Sequence, residues 1–182
     1  MKQRWIILDR DGVINQDSDN FVKTLDEFIL LPGSAEAIAR LSKAGYQVMI
    51  ATNQSGIARG HSTLDILSQM HDKLRAVVAE LGGDIIDIAF CPHGPDEGCE
   101  CRKPKPGMYQ SLAEKHGLSL SGVPVVGDSL RDLQAAQQVA GKPILVRTGK
   151  GERTLAKGEG LEGIPVVDDL AAAVDALLEE KL

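Results

Sequence analysis

Short apolar segments alternate with amphipathic segments along most of this 182-residue chain. The apolar segments predict strands at 5–8, 46–51, 85–90, 123–126 and 143–146. Apolar residues at helical spacing predict helices at 33–44, 62–81, 107–116, 130–140 and 168–178. Strands that alternate with helices form a parallel sheet covered on both faces. We therefore predict an α/β fold, a Rossmann-like, three-layer, doubly wound sheet, with residues 1–182 as a single domain.

Composition excludes several classes of protein. The formal net charge is -6, which argues against a nucleic-acid partner, because such partners usually require a basic face. No apolar segment approaches the roughly 20 residues that span a bilayer, and the N-terminal residues do not resemble a secretory signal. We therefore expect a cytoplasmic protein without membrane or nucleic-acid partners. The sequence gives no sign of a large apolar patch, so we expect a monomer.

Polar side chains follow the ends of four predicted strands. Asp9 and Asp11 follow the first, Thr52 and Asn53 the second, a cysteine-containing segment the third, and Asp128 the fourth. Ligands of parallel α/β sheets bind beyond the carboxyl ends of the strands. The sequence thus predicts that four strand ends contribute to one site.

Three aspartates in this set indicate a cation and phosphate chemistry. Asp9 and Asp11 are two residues apart, so on an extended strand their side chains point the same way, and two such carboxylates repel without a cation. With Asp128 they form a hard-oxygen site that suits Mg²⁺. A carboxylate can attack phosphorus, and Thr52 and Lys103 would supply the hydroxyl and the ammonium group that bind phosphoryl oxygens. A lone Asp-x-Asp is more often a turn or cap; its position at the strand ends favours a site.

Every cysteine of the chain lies in the segment CPHGPDEGCEC. Three thiolates and an imidazole provide a complete tetrahedral zinc set, and its members are Cys91, His93, Cys99 and Cys101. Redox chemistry would favour a Cys-x-x-Cys spacing, which is absent, and the loop-like composition argues against inert core cysteines. We interpret the zinc as structural, ordering a loop that aims the next residues, Arg102 and Lys103. An arginine suits recognition of a phosphate.

The motifs DRDG (9–12), Thr52-Asn53, Lys103 before proline, and GDSLRD (127–132) resemble, in this order, the four motifs of haloacid-dehalogenase-like (HAD) phosphatases. The resemblance implies that Asp9 is the nucleophile and Asp11 the general acid and then base. It implies Mg²⁺ on the Asp9 carboxylate, the Asp11 backbone carbonyl and the Asp128 carboxylate. Thr52 and Lys103 would hold the phosphoryl group. Asp132 would support the residues of the site without contacting the substrate itself.

Longer motifs narrow the resemblance to one branch of this superfamily. TNQSGIARG (52–60) and CECRKPKPGM (99–108) are similar to the branch that removes the 7-phosphate of a heptose 1,7-bisphosphate, in ADP- or GDP-heptose synthesis for lipopolysaccharide core. A histidinol-phosphate phosphatase remains an alternative, because its members carry close variants of these motifs. A non-enzymatic, zinc-ordered binding module is a further alternative, and a phosphotransferase or mutase on the same fold is also open.

Substrate selection is assigned to short loops, because the spacing between motifs leaves no room for a cap domain. The predicted substrate-binding residues are Asp17, Asn20, Asn53, Gln54, Ser55 and Arg102. The glycine-rich segment 148–163 is predicted to be a mobile loop, and we interpret His61, His71 and His116 as surface residues.

Overall fold

The computed structural model describes residues 3–182, and its centre is a six-stranded parallel sheet. The strands are β1 (Arg4–Leu8), β2 (Tyr46–Asn53), β3 (Asp87–Cys91), β4 (Pro124–Gly127), β5 (Lys142–Val146) and β6 (Val166–Val167). Their order in the sheet is β3-β2-β1-β4-β5-β6. The chain moves outward from β1 in one direction and then in the other. This confirms the predicted doubly wound α/β sheet.

Helices cover both faces of the sheet. They are α1 (Ser34–Lys43), α2 (Leu64–Glu80), α3 (Gly107–His116), α4 (Leu130–Gln138), α5 (Gly151–Lys157) and α6 (Leu170–Leu178). Side chains of a strand alternate between faces, and β1 shows the consequence. Ile6 and Leu8 pack in a core with α1, α2 and α6, whereas Ile7 packs in a second core with α3 and α4.

Three short elements are absent from the prediction: β6, α5 and a 3₁₀ helix (Leu25–Glu27). The prediction of a loop over 148–163 is wrong for the seven residues of α5. Its sequence is too short and too polar to display helical periodicity. The first residue must also be glycine, because a Cβ on Gly151 would overlap the Val146 carbonyl.

The topology places the site at the reversal of strand order. β1 pairs with β2 on one side and with β4 on the other, so their carboxyl ends face a common crevice. Within residues 3–182, the chain between β1 and β2 forms only the 3₁₀ helix and α1, and that between β2 and β3 forms only α2. The crevice therefore has no cap domain over it. Among the same residues, no helix has both the length and the apolar character needed to cross a membrane.

Candidate active site

Lys103 lies at the centre of the crevice. Its side chain is buried, and its Nζ lies 3.0 Å from Asp9 Oδ1 and 2.6 Å from Asp132 Oδ1. It also donates a hydrogen bond to the Ala51 carbonyl at 2.8 Å. These carboxylates raise the pKa of Lys103 well above its usual value although burial opposes them. The ammonium group is thus fixed and charged.

Asn53 fixes the backbone of Lys103. Its Oδ1 accepts a hydrogen bond from the Lys103 N–H at 3.0 Å, and its Nδ2 donates to the Lys103 carbonyl at 3.2 Å. The sequence predicts a substrate contact for Asn53, but both polar atoms of this side chain are already engaged within the protein. The structure thus gives Asn53 a positioning role for Lys103; Asn53 also lines the cavity, and its predicted substrate contact stays a prediction.

Asp132 connects Lys103 to the end of β4. Its Oδ2 accepts hydrogen bonds from the backbone N–H groups of Asp128 and Ser129, each at 3.2 Å, and from Ser129 Oγ at 3.0 Å. A Cβ on Gly127 would overlap the Asp132 side chain, so the close approach requires glycine. Both oxygens of Asp132 are engaged, which agrees with the supporting role that the resemblance implies.

Asp128 is oriented by the segment around α5. Its Oδ2 accepts a hydrogen bond from the Lys150 N–H at 2.8 Å, and its carbonyl accepts one from Thr154 Oγ1 at 2.8 Å. A Cβ on Gly12 or on Gly149 would overlap Asp128 Oδ2. The segment interpreted from the sequence as a loop is therefore part of the site's architecture.

The carboxylates fit a divalent cation. One oxygen each from Asp9, Asp128 and Asp132 lie within 4.8 Å of one another. Burial and then the Asp132 charge raise the pKa of Asp9 to about 7, and burial and then Asp9 raise the pKa of Asp128 well above its usual value. A cation would relieve this repulsion. Both oxygens of Asp132 are engaged, whereas Asp9 and Asp128 each keep one oxygen to which no residue of 3–182 donates, so these two carboxylates are available for Mg²⁺. No described residue donates a hydrogen bond to the Asp11 carbonyl, the third predicted ligand.

Asp11 is held differently at its two oxygens. Its Oδ1 accepts hydrogen bonds from Arg10 Nη2 at 2.6 Å, Arg10 Nε at 3.0 Å and Asn15 Nδ2 at 2.8 Å. Its Oδ2 accepts only one from the described residues, which comes from Gln54 Nε2 at 3.0 Å. Burial raises the pKa of Asp11, but the Arg10 charge and these hydrogen bonds outweigh it and lower the pKa overall.

A cavity of about 250 Å³ opens above these groups. Ten of its lining residues matter here: Asp9, Asp11, Thr52, Gln54, Ser55, Arg59, Arg102, Lys103, Asp128 and Arg131. Thr52 Oγ1, which is buried, accepts a hydrogen bond from Gln54 Nε2 at 2.9 Å. Asp17 also lines the cavity, with its carboxylate 3.5 Å from Lys150 Nζ. Asn20 is exposed and does not line the cavity, so the structure does not bring this predicted substrate residue to the site.

Three arginines line the cavity without a carboxylate partner. Among residues 3–182, no acidic side chain lies within 4.0 Å of the guanidinium of Arg59, Arg102 or Arg131. Burial and the Arg131 charge lower the pKa of Arg102, and Arg59 adds to this effect. The sequence interpretation assigns a role to Arg102 alone. Arg59 lies within TNQSGIARG and Arg131 within GDSLRD, so a search for arginines inside the motifs would have found both.

The cysteine segment forms a compact donor set after β3. Cys101 Sγ lies 2.8 Å from Cys91 Sγ and 3.3 Å from His93 Nδ1, and Cys99 Sγ lies 3.6 Å from Cys91 Sγ. All four donor atoms lie within 4.8 Å of one another. Three sulfurs and one nitrogen at such spacing fit a closed tetrahedral zinc site.

The interpretation of the three other histidines as surface residues is wrong for His71. His61 is exposed and stacks on Phe21, and His116 contacts Asp87 at the surface. His71 is only 8% exposed and contacts Arg10 from α2. Helical spacing did not distinguish it from a surface residue, because its partner lies 61 residues away in the sequence.

The sheet topology and this carboxylate–lysine site define the class of HAD-like hydrolases. The HAD-hydrolase-like family model matches residues 100–173, and the model for polynucleotide kinase 3 phosphatase matches residues 6–129. The matched regions include all four motifs.

Similar proteins identify the family within this class to which the chain belongs. A D-glycero-beta-D-manno-heptose-1,7-bisphosphate 7-phosphatase of Pseudomonas aeruginosa is 58% identical over 98% of this chain and 100% of its own length. A D-glycero-D-manno-heptose-1,7-bisphosphate 7-phosphatase of Thermosynechococcus vestitus is 36% identical over 96% and 95%. The crystal structure of the D,D-heptose 1,7-bisphosphate phosphatase from B. bronchiseptica, complexed with magnesium and phosphate, superposes with a TM-score of 0.95 at 56% identity, covering 98% of this chain and 99% of that one. The chain belongs to the D-glycero-D-manno-heptose-1,7-bisphosphate 7-phosphatase family.

Proposed function

We propose that the protein hydrolyses the 7-phosphate of D-glycero-D-manno-heptose 1,7-bisphosphate. The observation that carries this proposal is the pairing of two regions in one cavity. The floor consists of Asp9, Asp128, Asp132 and Lys103, and it suits the reacting phosphoryl group with its cation. The wall consists of Arg59, Arg102 and Arg131, whose unpaired charges suit a second phosphate. A bisphosphate substrate satisfies both regions.

The chemistry proceeds in two steps through Asp9. Lys103 holds Asp9 Oδ1, and no described residue donates a hydrogen bond to Oδ2, which is therefore free to attack phosphorus. The bond between phosphorus and the sugar oxygen breaks, and Asp11, which must enter this step protonated at Oδ2, delivers that proton to the sugar oxygen. Asp11 then removes a proton from water, which attacks the aspartyl-phosphate and releases phosphate. Bound Mg²⁺, held by Asp9, Asp128 and the Asp11 carbonyl, would supply charge neutralisation.

Thr52 and Lys103 would bind the phosphoryl oxygens during both steps. The Thr52 hydroxyl lines the cavity, and Gln54 fixes its orientation through Oγ1. Such donors stabilise charge that develops in the transition state. Ser55 is buried beside Thr52 in the cavity lining and would continue the substrate-contacting surface.

The cysteine set would hold a structural zinc. Cys101 lies two residues before Lys103 in the sequence, so a closed metal site here orders the segment that delivers the lysine. We further propose that residues 1–182 act as a single-domain monomer in the cytoplasm, in nucleotide-activated heptose synthesis. Purified protein should contain zinc in a 1:1 ratio, and Cys101→Ser should lose it.

Phosphate release from three substrates tests the proposal. The α and β anomers of the heptose bisphosphate and histidinol phosphate are compared in the presence of Mg²⁺, with Asp9→Asn as the inactive control. We expect strong preference for a heptose anomer, because the arginine wall repels the cationic amine of histidinol phosphate. Preference for histidinol phosphate would overturn the assignment, and no release from any substrate would leave only the fold and family.

A further inference from the structure

Arg10 is a fully buried arginine that lies between the two aspartates of DRDG. Its relative exposure is 0%. The guanidinium carbon lies 5.1 Å from the centre of the Phe28 ring, which provides a cation–π contact. Its Nη1 approaches two side chains of α2, Met70 Sδ at 3.8 Å and His71 Nε2 at 3.3 Å. The guanidinium therefore has one fixed position.

The position of the Arg10 guanidinium determines which oxygen of the Asp11 carboxylate is already occupied by hydrogen bonds. Nε and Nη2 of Arg10 both donate to Asp11 Oδ1, and Asn15 adds a third hydrogen bond to the same atom. Oδ2 retains free capacity, because within residues 3–182 only Gln54 donates to it. The Asp11 side chain is 22% exposed and lines the cavity. Oδ2 is thus the oxygen left for exchange with a substrate.

His71 is suited to hold the other end of the guanidinium. Burial and then the positive charges of Arg10 and Arg75 lower the pKa of His71 to about 3. The imidazole is therefore neutral near neutral pH, and its Nε2 can accept the Arg10 N–H. A protonated imidazole has no acceptor and would repel the guanidinium.

Stability alone does not account for this arrangement. A buried ion pair is often no more stable than apolar residues of the same volume, because desolvation offsets the Coulomb attraction. The cluster instead gives one catalytic carboxylate two unequal oxygens. Such an asymmetry is useful to a group that must give a proton to the leaving oxygen and then take one from water through the same oxygen.

We propose that Arg10, held between Phe28 and the imidazole of His71, is a positioning residue that occupies Asp11 Oδ1 and reserves Oδ2 for proton transfer to the leaving oxygen. The inference rests on the acid–base role proposed above for Asp11. Arg10 does not touch the substrate, and it acts by fixing the geometry of the carboxylate that does.

The test compares leaving groups. An alkyl alcohol requires a proton as it departs, whereas an acidic phenol such as 4-nitrophenol does not. In Arg10→Lys the charge remains but the two-point contact is lost, and in His71→Leu the acceptor is lost. We expect each variant to lose about 10- to 100-fold in kcat/KM for the heptose bisphosphate and less than about threefold for 4-nitrophenyl phosphate. His71→Gln restores an acceptor oxygen and should recover most of the loss.

Arg40→Lys is the matched control, because Arg40 forms an exposed ion pair with Asp175 at 2.6 Å. It should not alter either rate. Equal losses on both esters would overturn the inference and make Arg10 a structural residue only. If Arg10→Lys does not fold, the comparison of His71→Leu with His71→Gln carries the test. If the wild-type protein does not hydrolyse the heptose but does hydrolyse another alkyl phosphate, the proposed function fails and the leaving-group test is run on that ester.

Discussion

The floor and the wall of the cavity treat charge in opposite ways. In the floor, Lys103 lies within 3.0 Å of two carboxylates, and Asp128 accepts a backbone N–H at 2.8 Å. In the wall, the three guanidiniums have no carboxylate within 4.0 Å among residues 3–182. The protein and one cation thus neutralise the floor. The positive charges of the wall remain available to bind a negatively charged group of the ligand.

This difference predicts which property each region controls. The floor is desolvated, so removal of one charge leaves its partner buried and uncompensated, and both stability and turnover should fall. Arg59 is exposed and the other wall residues are partly exposed, so their charges contribute little to folding. Substitutions there should alter substrate affinity instead. Variants in the two regions therefore test whether the floor controls stability and turnover while the wall controls substrate affinity.

Lys103→Met should have the largest effect. It leaves the carboxylates of Asp9 and Asp132 facing each other without their shared cation. We expect a loss of about 3–5 kcal/mol in the free energy of unfolding. We also expect a fall in kcat of about 10²- to 10³-fold, because the phosphoryl oxygens lose a fixed donor. Urea unfolding and steady-state kinetics measure the two losses.

Lys105→Met is the matched control for this variant. Lys105 is two residues further along, and its side chain is 47% exposed, 3.4 Å from Glu100. Its removal should change stability by less than about 0.5 kcal/mol and leave kcat unaltered. Similar losses in both variants would show that the floor is not distinguished by burial of its charges.

A pH dependence of stability should arise beneath the floor, at His71. The pKa of this imidazole falls from an ordinary 6.5 to about 3 on folding. Between these values the unfolded chain binds more protons than the folded protein does. Stability is therefore intact above pH 6.5 and decreases as the pH falls toward 3. At pH 5 the contribution of His71 amounts to a loss of about 2 kcal/mol relative to pH 8.

Urea unfolding of the wild-type protein and His71→Gln at both pH values isolates this contribution. Glutamine does not titrate in this range, so the variant should lose about 2 kcal/mol less than the wild-type protein on acidification. Equal losses in the two proteins would mean that His71 is protonated in the fold. That result would also remove the acceptor assigned to it beside Arg10.

The sequence predicted the sheet and the floor because their signals are local. Apolar runs of strand length identified five of the six strands. Asp9, Thr52 and Asp128 each follow such a run, so the rule that ligands bind beyond strand ends brings them together. The zinc set was predictable for a similar reason, since Cys91 to Cys101 spans only eleven residues of chain. In both cases a short stretch of sequence contains the residues whose chemistry indicates the site.

The residues that sequence reasoning missed depend on contacts between distant segments. His71 meets Arg10 across 61 positions, and Thr148 Oγ1 binds the Gly12 carbonyl across 136. Helix α5 has too few residues for periodicity to reveal it. The hydrogen bonds between the Asn53 side chain and the Lys103 backbone join residues 50 positions apart, and only the fold shows them. Side-chain partners of this kind are set by tertiary packing, which spacing along the chain does not encode.

Arg131→Gln should have the smallest effect and probes the wall alone. Loss of one unpaired guanidinium should raise KM for the heptose bisphosphate about 10-fold, equivalent to about 1.4 kcal/mol, with kcat nearly unaltered. For 4-nitrophenyl phosphate, which has no second phosphate, neither parameter should change. The free energy of unfolding should stay within about 0.5 kcal/mol of the wild-type value.

Arg153→Gln is the control for the Arg131 variant, because Arg153 is exposed and already pairs with Asp19 at 2.9 Å. If the Arg131 variant instead lost stability or lost activity on both esters, its charge would belong with the floor, and the division between the two regions would not hold.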